Sequence, residues 1–265
     1  MDIPLFIQDA LIAGTLLALL AGILGPFVVA GRQSVASDML AHLALAGVGV
    51  GVVAGFLPEY GALLVLLAGS VLLWALLRYG RIAPDALAMF FLTGGLAVAL
   101  VFFHMARNST VSFESFLFGS ILTLTTHDLW VMTIVTVTAA GFTLLSWHRL
   151  LGVVQIPEYI EPYSKRPALY HLAFMLVLAL VVWVGLTTVG GLLVGALLVI
   201  PVLIVRPYVQ RFTRLTIGCV LVSWAAVIAG IVSSLLVDVP TSSAIVLSLI
   251  ALFFVSSALH RFVRQ

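Results

Sequence analysis

The sequence predicts an all-α integral membrane protein with about eight or nine transmembrane helices. Of its 265 residues, 63% are hydrophobic and 8% are charged, and the mean hydropathy is +1.28. A soluble globule could not cover its surface with so few polar residues. Apolar stretches long enough to span a bilayer recur along the chain, whereas an outer-membrane barrel would show short alternating segments. We therefore expect residues 1–265 to form a single transmembrane domain.

Nine apolar segments can be assigned at about 20 residues per span. The first is kept as a span because MDIPLFIQDALIAG lacks the basic start of a cleavable signal. The count is least secure at 186–191, where two segments meet with almost no loop; a broken helix or a re-entrant hairpin there would lower it. The segments cover residues 8–30, 36–56, 61–78, 85–106, 128–147, 169–187, 190–206, 215–237 and 242–260.

The charges between the spans predict an orientation. Eleven of the twelve basic residues fall on one side of the predicted membrane, and Arg107 is the exception. By the positive-inside rule that side is the cytoplasm, so we expect the N-terminus outside and the C-terminus inside. Most acidic residues fall near the outer face, which would attract cations weakly.

Two connecting stretches are unusual. Residues 112–122, SFESFLFGSIL, are too short to span and predict a helix that lies at the outer interface or dips back into the protein. Residues 153–167, VVQIPEYIEPYSKRP, are the most polar stretch of the inner side and contain three prolines. This stretch is either a plain loop or a docking element for a soluble partner.

Asp38 and His42 are the strongest candidate site residues. An ionisable residue inside a span is a functional-site candidate because it costs roughly 2.5–3.5 kcal/mol on insertion scales. Counted from Arg32 at the inner interface, a rise of about 1.5 Å per residue places them roughly 9 and 15 Å deep. Their spacing puts both on one helix face, where a carboxylate oxygen and an imidazole nitrogen could share a metal ion. Leu45, Ala46 and Gly49 continue this face, while Gly47, Gly51 and Gly55 form a separate stripe suited to helix packing.

Two ligands are too few to hold a transition metal. A homodimer with this helix beside its two-fold axis would supply two aspartates and two histidines. Incomplete coordination also suits a transporter, because the ion must leave. The structural alternative is that Asp38 and His42 hydrogen-bond each other and cap the helix.

The remaining polar residues give weaker signals. His104, Glu114, His127 and Asp128 could form an outer access site for the ion, although nothing in their spacing requires it. Each histidine other than His42 lies near the end of a span, where interfacial polar side chains are ordinary. Cys219 is the single cysteine and can form no disulfide within the chain.

Several function classes are excluded by missing motifs. The chain has no HExxH motif of metalloproteases and no GxxxxGK[ST] motif for nucleotide phosphates. The basic residues lie between the spans, so nucleic-acid binding has no support. The chain is therefore not expected to be an enzyme, and an ATPase that drives it would be another polypeptide.

Three motifs resemble the ABC-3 family, the membrane permeases of bacterial ATP-binding-cassette importers for zinc, manganese and iron(II). The first is an arginine, an aspartate and a histidine that lead into a glycine-rich helix, here Arg32, Asp38 and His42. The second is LFGSILTLTTHDL at 117–129, and the third is GGLLVGALLVIPVLIVR at 190–206. The three motifs occur in the family's order and span much of the chain.

The resemblance implies a permease fold, a homodimer and alternating access in the bacterial inner membrane. Asp38 and His42 would contact the transported zinc or manganese, and no cofactor would be bound permanently. The inner loop around Glu158, Tyr159 and Glu161 would meet the ATPase, which uses ATP. An extracytoplasmic metal-binding protein would deliver the ion.

Two other functions remain open from the sequence. An ion-coupled secondary transporter could use Asp38 and His42 as a proton or cation relay without an ATPase. A membrane anchor or assembly factor would not affect metal uptake at all.

Overall fold

The computed structural model describes residues 5–31, 33–80, 82–106, 113–119, 121, 124–155 and 166–263. Within these ranges nine helices are long and apolar enough to cross a membrane, as the sequence predicts. The helices are α1 (Leu5–Ala30), α2 (Ser34–Ala54), α3 (Pro58–Tyr79), α4 (Pro84–Met105), α5 (Phe113–Phe118), α6 (Thr126–Leu145), α7 (Trp147–Gln155), α8 (Arg166–Thr188), α9 (Gly191–Val205), α10 (Phe212–Val237) and α11 (Thr241–Val263), with a 3-10 turn at Arg206–Tyr208 after α9.

Helix α2 lies at the centre of one group of helices. It packs against α3 and α4 along much of its length and also contacts α8, α9 and α5. Helix α1 is the centre of a second group and packs against α10, α9 and α6. Since lipid is as apolar as these side chains, such contacts depend on close van der Waals packing more than on exclusion of water.

Glycines allow α2 and α3 to approach closely. A Cβ atom added to Gly47 would lie 2.5 Å from the Gly61 carbonyl oxygen, and one added to Gly51 would lie 3.0 Å from the Pro58 Cα. The prediction that this stripe packs is confirmed for Gly47 and Gly51. It is wrong for Gly55, which has φ 78° and ends α2 in the left-handed conformation, with no described atom within 4 Å of an added Cβ.

Helices α8 and α9 are separate spans joined by a tight turn. Gly190 has φ 101°, a conformation that favours glycine, and α9 starts at the next residue. A Cβ atom at Gly190 would lie 2.6 Å from the carbonyl carbon of Phe118 and 2.8 Å from the Gly119 nitrogen. The turn is therefore packed directly against the end of α5.

Helix α5 packs against the bundle, although none of its residues is buried. It contacts α9, α2 and α8, and the Ser242 hydroxyl of α11 donates a hydrogen bond to the Phe118 carbonyl oxygen. The two positions predicted for residues 112–122, at the outer interface or dipping back into the protein, both stay predictions.

Helix α7 was not predicted by the sequence. Its Trp147 ring meets the Phe27 ring edge-on at a centroid distance of 5.1 Å and the Phe212 ring at 5.6 Å. Leu150 is fully buried. The helix is amphipathic and only nine residues long, so it lacks the run of about 20 apolar residues that marks a span in the sequence.

Candidate functional site

Asp38 and His42 lie in the first half of α2. The helix begins at Ser34, so Asp38 and His42 lie about 6 and 12 Å along its axis at a rise of about 1.5 Å per residue. Arg32, from which the sequence counted the depth, lies outside the described residues. His42 is thus near the middle of a 21-residue helix, where an ionisable side chain requires a partner or a cavity.

Both side chains line a cavity of about 720 Å³. Helix α2 forms one wall, helix α9 forms the opposite wall, and single residues of α4, α5 and α11 close the remainder. The residues that line it include Asp38, His42, Leu92, Leu117, Gly191, Leu192 and Gly195. The cavity is open at its rim, where Val35 and Leu192 are 40% and 42% exposed in the single chain.

The Asp38 side chain is exposed to this cavity. Its Oδ1 atom points at α9, where the position of a Cβ atom on Gly195 would overlap it. His42 lies one turn further along α2 and lines the same cavity. The carboxylate and the imidazole therefore face one space.

His42 is half-buried. Its main chain packs against α4, where a Cβ atom on Gly95 would lie 3.1 Å from the His42 carbonyl carbon. Its Nδ1 atom is buried and has no hydrogen-bond partner among the described residues. Buried polar atoms are almost always satisfied in native proteins, so this nitrogen has room for a partner, such as an ordered water or an ion, from outside the described residues.

The structural alternative for the pair is wrong. The part of the chain that the structure describes contains no hydrogen bond between Asp38 and His42. The N-cap of α2 is Gln33, and no side chain caps it. Asp38 is too far inside the helix to serve as a cap, because the free N–H groups belong to the first turn.

The sequence placed Leu45, Ala46 and Gly49 on the helix face of Asp38 and His42, and the structure agrees only for Leu45. Leu45 lines the cavity as expected. Ala46 is buried, and a Cβ atom on Gly49 would lie 2.7 Å from Phe102 Cβ. Ala46 and Gly49 are therefore packing positions, and Gly49 faces Ala99 and Phe102 of α4.

The described residues contain no group of three or more His, Cys, Asp or Glu side chains that could hold a metal ion. That Asp38 and His42 form one half of a metal site stays a prediction. A four-coordinate site would need ligands from outside the described part of one chain.

The predicted outer access residues are not assembled into a cluster. Glu114 and His127 are exposed. Asp128 forms a capping box with Thr125 at the start of α6: its Oδ2 accepts hydrogen bonds from the Thr125 nitrogen at 2.9 Å and the Thr125 hydroxyl at 2.7 Å. Their role in metal access stays a prediction. The predicted ATPase-docking residues Glu158, Tyr159 and Glu161 lie outside the described residues.

Sequence reasoning missed two features near the site. The first is Gly195, whose spacing from Gly191 repeats one helical turn and places both on one face of α9. The second is a hydrogen bond of 2.8 Å between Gln33 Nε2 and His171 Nε2, which joins the start of α2 to the start of α8. The repeated glycines of α9 could have indicated Gly195 from the sequence, whereas no local pattern indicates the hydrogen bond between Gln33 and His171.

A bundle of nine candidate spans with an ionisable pair facing a cavity is typical of membrane transport proteins. The chain belongs to the ABC 3 transport family, whose family model matches residues 4–260. The resemblance noted from its motifs is thus confirmed over nearly the whole chain.

Comparisons with individual proteins agree with the family. The high-affinity zinc uptake system membrane protein ZnuB of Buchnera aphidicola is 27% identical over 238 residues, covering 89% of this chain and 90% of that protein. The manganese transport system membrane protein MntC of Listeria monocytogenes is 24% identical over 251 residues, covering 95% and 89%. Among solved structures, PsaBC from Streptococcus pneumoniae in complex with Fab shares the fold, with a TM-score of 0.83, 22% identity and coverage of 96% and 91%.

Proposed function

We propose that the chain is the membrane-spanning subunit of an ATP-binding-cassette importer that moves a divalent transition-metal ion into the cytoplasm. The observation that carries the proposal is the pair Asp38 and His42, which faces one cavity inside a chain of the ABC 3 transport family. Relatives named for zinc uptake and for manganese transport support this class of substrate. A mixed oxygen and nitrogen ligand set suits either metal and iron(II).

The proposed site is completed by a second copy of the chain. Asp38 is exposed in the single chain, and the rim of its cavity carries exposed apolar side chains, Val35 and Leu192. If the rims of two chains meet at a two-fold axis, two carboxylates and two imidazoles face one ion, which is enough for a four-coordinate site.

The proposed orientation places the N-terminus outside and the C-terminus in the cytoplasm. The charge distribution of the sequence supports it, since the exposed Arg78, Arg149 and Arg211 are among the eleven basic residues that fall on one side of the predicted membrane. In this orientation residues 1–265 form one transmembrane permease domain of the bacterial inner membrane. The loop with Glu158, Tyr159 and Glu161 then faces a cytoplasmic ATPase.

The transport cycle follows from these positions. A binding protein outside delivers the ion, and Glu114, His127 and Asp128 lie on its route. Asp38 and His42 replace water in the shell of the ion, and alternating access then opens the cavity to the cytoplasm. ATP hydrolysis on the partner subunit drives the change, so the chain itself catalyses no reaction.

The dependence of uptake on ATP tests this proposal against the secondary-transport alternative. We expect uptake of ⁶⁵Zn or ⁵⁴Mn by vesicles carrying the whole system to require ATP and to continue when an ionophore collapses the proton gradient. The chain should also co-purify with a nucleotide-binding subunit. Uptake that follows the proton gradient without ATP would show that Asp38 and His42 act as a proton or cation relay instead.

A further inference from the structure

Gly195 of α9 lies directly opposite the Asp38 carboxyl group, with both residues lining the cavity. The three atoms nearest to a Cβ atom built on Gly195 all belong to that group: Oδ1, which the Cβ atom would overlap, Cγ at 3.3 Å and Oδ2 at 4.0 Å. Oδ1 is thus directed at the backbone of α9, while Oδ2 is directed away from it. Any side chain larger than that of glycine at position 195 would occupy the space that the Asp38 carboxylate fills.

Glycine at position 195 is not explained by helix packing. Glycine in a helix interior is about 1 kcal/mol less favourable than alanine, so its presence indicates a local requirement. Where glycines serve helix packing in this protein, a backbone atom or an apolar side chain blocks the added Cβ, as the Gly61 carbonyl oxygen does at Gly47 and Phe102 Cβ does at Gly49. At Gly195 the nearest atoms are instead those of one ionisable side chain.

We infer that Gly195 is a positioning residue for the Asp38 carboxylate. An added methyl group would displace the carboxylate by rotation of the aspartate side chain, since Oδ1 is the free end of that side chain and not a backbone atom. The carboxylate would then no longer face the cavity alongside His42. This inference rests on the proposed function, because it assigns the direction of a ligand in the proposed metal site.

The position of the carboxylate consequently depends on two helices. Asp38 is carried by α2, but the space that it occupies is set by α9, whose first residue Gly191 also faces α2 with a potential Cβ contact of 3.5 Å to Ala41. The start of α9 is in turn packed against α5 through Gly190. A movement of α9 relative to α2 would therefore change the direction of the ligand.

The first test is the affinity of the purified full transporter for Mn²⁺, measured by calorimetry. We expect Gly195→Ala to weaken binding about 10- to 100-fold, the range for residues that orient metal ligands. Gly141→Ala in α6 is the matched control, because no described atom lies within 4 Å of a Cβ atom added there. If Asp38→Ala loses Mn²⁺ affinity while Gly195→Ala keeps the native affinity, the inference about Gly195 is overturned and the proposed metal site is not. Native affinity in Asp38→Ala would instead contradict the proposed metal site.

The second test separates positioning from a merely structural role. In the native background the added methyl group conflicts with the carboxylate, so Gly195→Ala should lower the unfolding temperature. In an Asp38→Ala background the conflict is gone, and the same substitution should leave that temperature unchanged or raise it through helix propensity. An equal loss of unfolding temperature in both backgrounds would show that Gly195 acts on other atoms and would overturn the inference.

Discussion

Replacing Asp38 or His42 with alanine is expected to reduce metal uptake to the level of cells that lack the transporter. Each chain contributes two ligands to the proposed site, and each substitution removes one of them. The remaining ligands cannot replace the hydration shell of the ion, which therefore stays in water. The measurement is uptake of ⁵⁴Mn or ⁶⁵Zn by cells that carry the whole system. Asp38→Asn should have nearly the same effect, because it keeps the shape beside Gly195 and removes the charge.

Two control variants test whether this loss is specific. Glu59→Gln removes an exposed carboxylate at the start of α3, and His148→Ala removes an exposed imidazole on α7. Both should keep uptake near the native level. The complex should assemble normally in all variants, as judged by size-exclusion chromatography. Native uptake in Asp38→Ala and in His42→Ala would eliminate the pair as the site.

Gly47→Ala is expected to destabilise the protein strongly. Its methyl carbon would lie 2.5 Å from the Gly61 carbonyl oxygen and 2.7 Å from the Ala62 Cα, and backbone atoms cannot rotate away. Helices α2 and α3 must separate, which should lower the free energy of unfolding by about 1–3 kcal/mol or more. The effect is measurable as a lower midpoint of thermal unfolding in detergent and a lower yield of monodisperse protein.

Gly141→Ala is the matched comparison for this substitution. It makes the same chemical change in a helix interior where the added carbon meets no described atom within 4 Å. It should leave stability unchanged or raise it by up to about 1 kcal/mol. If Gly47→Ala and Gly141→Ala unfold at the same temperature, the close α2–α3 contact is not a determinant of stability.

The spans and the ionisable pair could be predicted from the sequence because both depend on local information. A run of about 20 apolar residues indicates a span by itself, and the spacing of Asp38 and His42 places both on one face of any helix. Even the adjacent spans on either side of Gly190 could be separated, since each run is long enough on its own. The family resemblance added an expected role to residues that were already unusual in a membrane.

The features that the sequence did not indicate depend on contacts between distant segments. Nothing near Gly195 shows that its missing side chain accommodates Asp38, because the two lie on helices far apart in the chain. The same holds for the Gln33 and His171 hydrogen bond. Gly49 was placed on the pathway by its helical phase, but the crossing of α2 and α4 decides that it packs against Phe102. Periodicity identifies a face, whereas tertiary packing decides which part of that face stays open.

The most direct test of the proposed metal site is the number of metal ions bound per chain in the purified transporter, measured by equilibrium dialysis against Mn²⁺ with elemental analysis. A site shared by two chains predicts one ion for every two chains, and it predicts that this ion is lost in both Asp38→Ala and His42→Ala. A ratio of one ion per chain, or an unchanged ratio in both variants, would contradict the proposal that the pair forms half of a shared metal site.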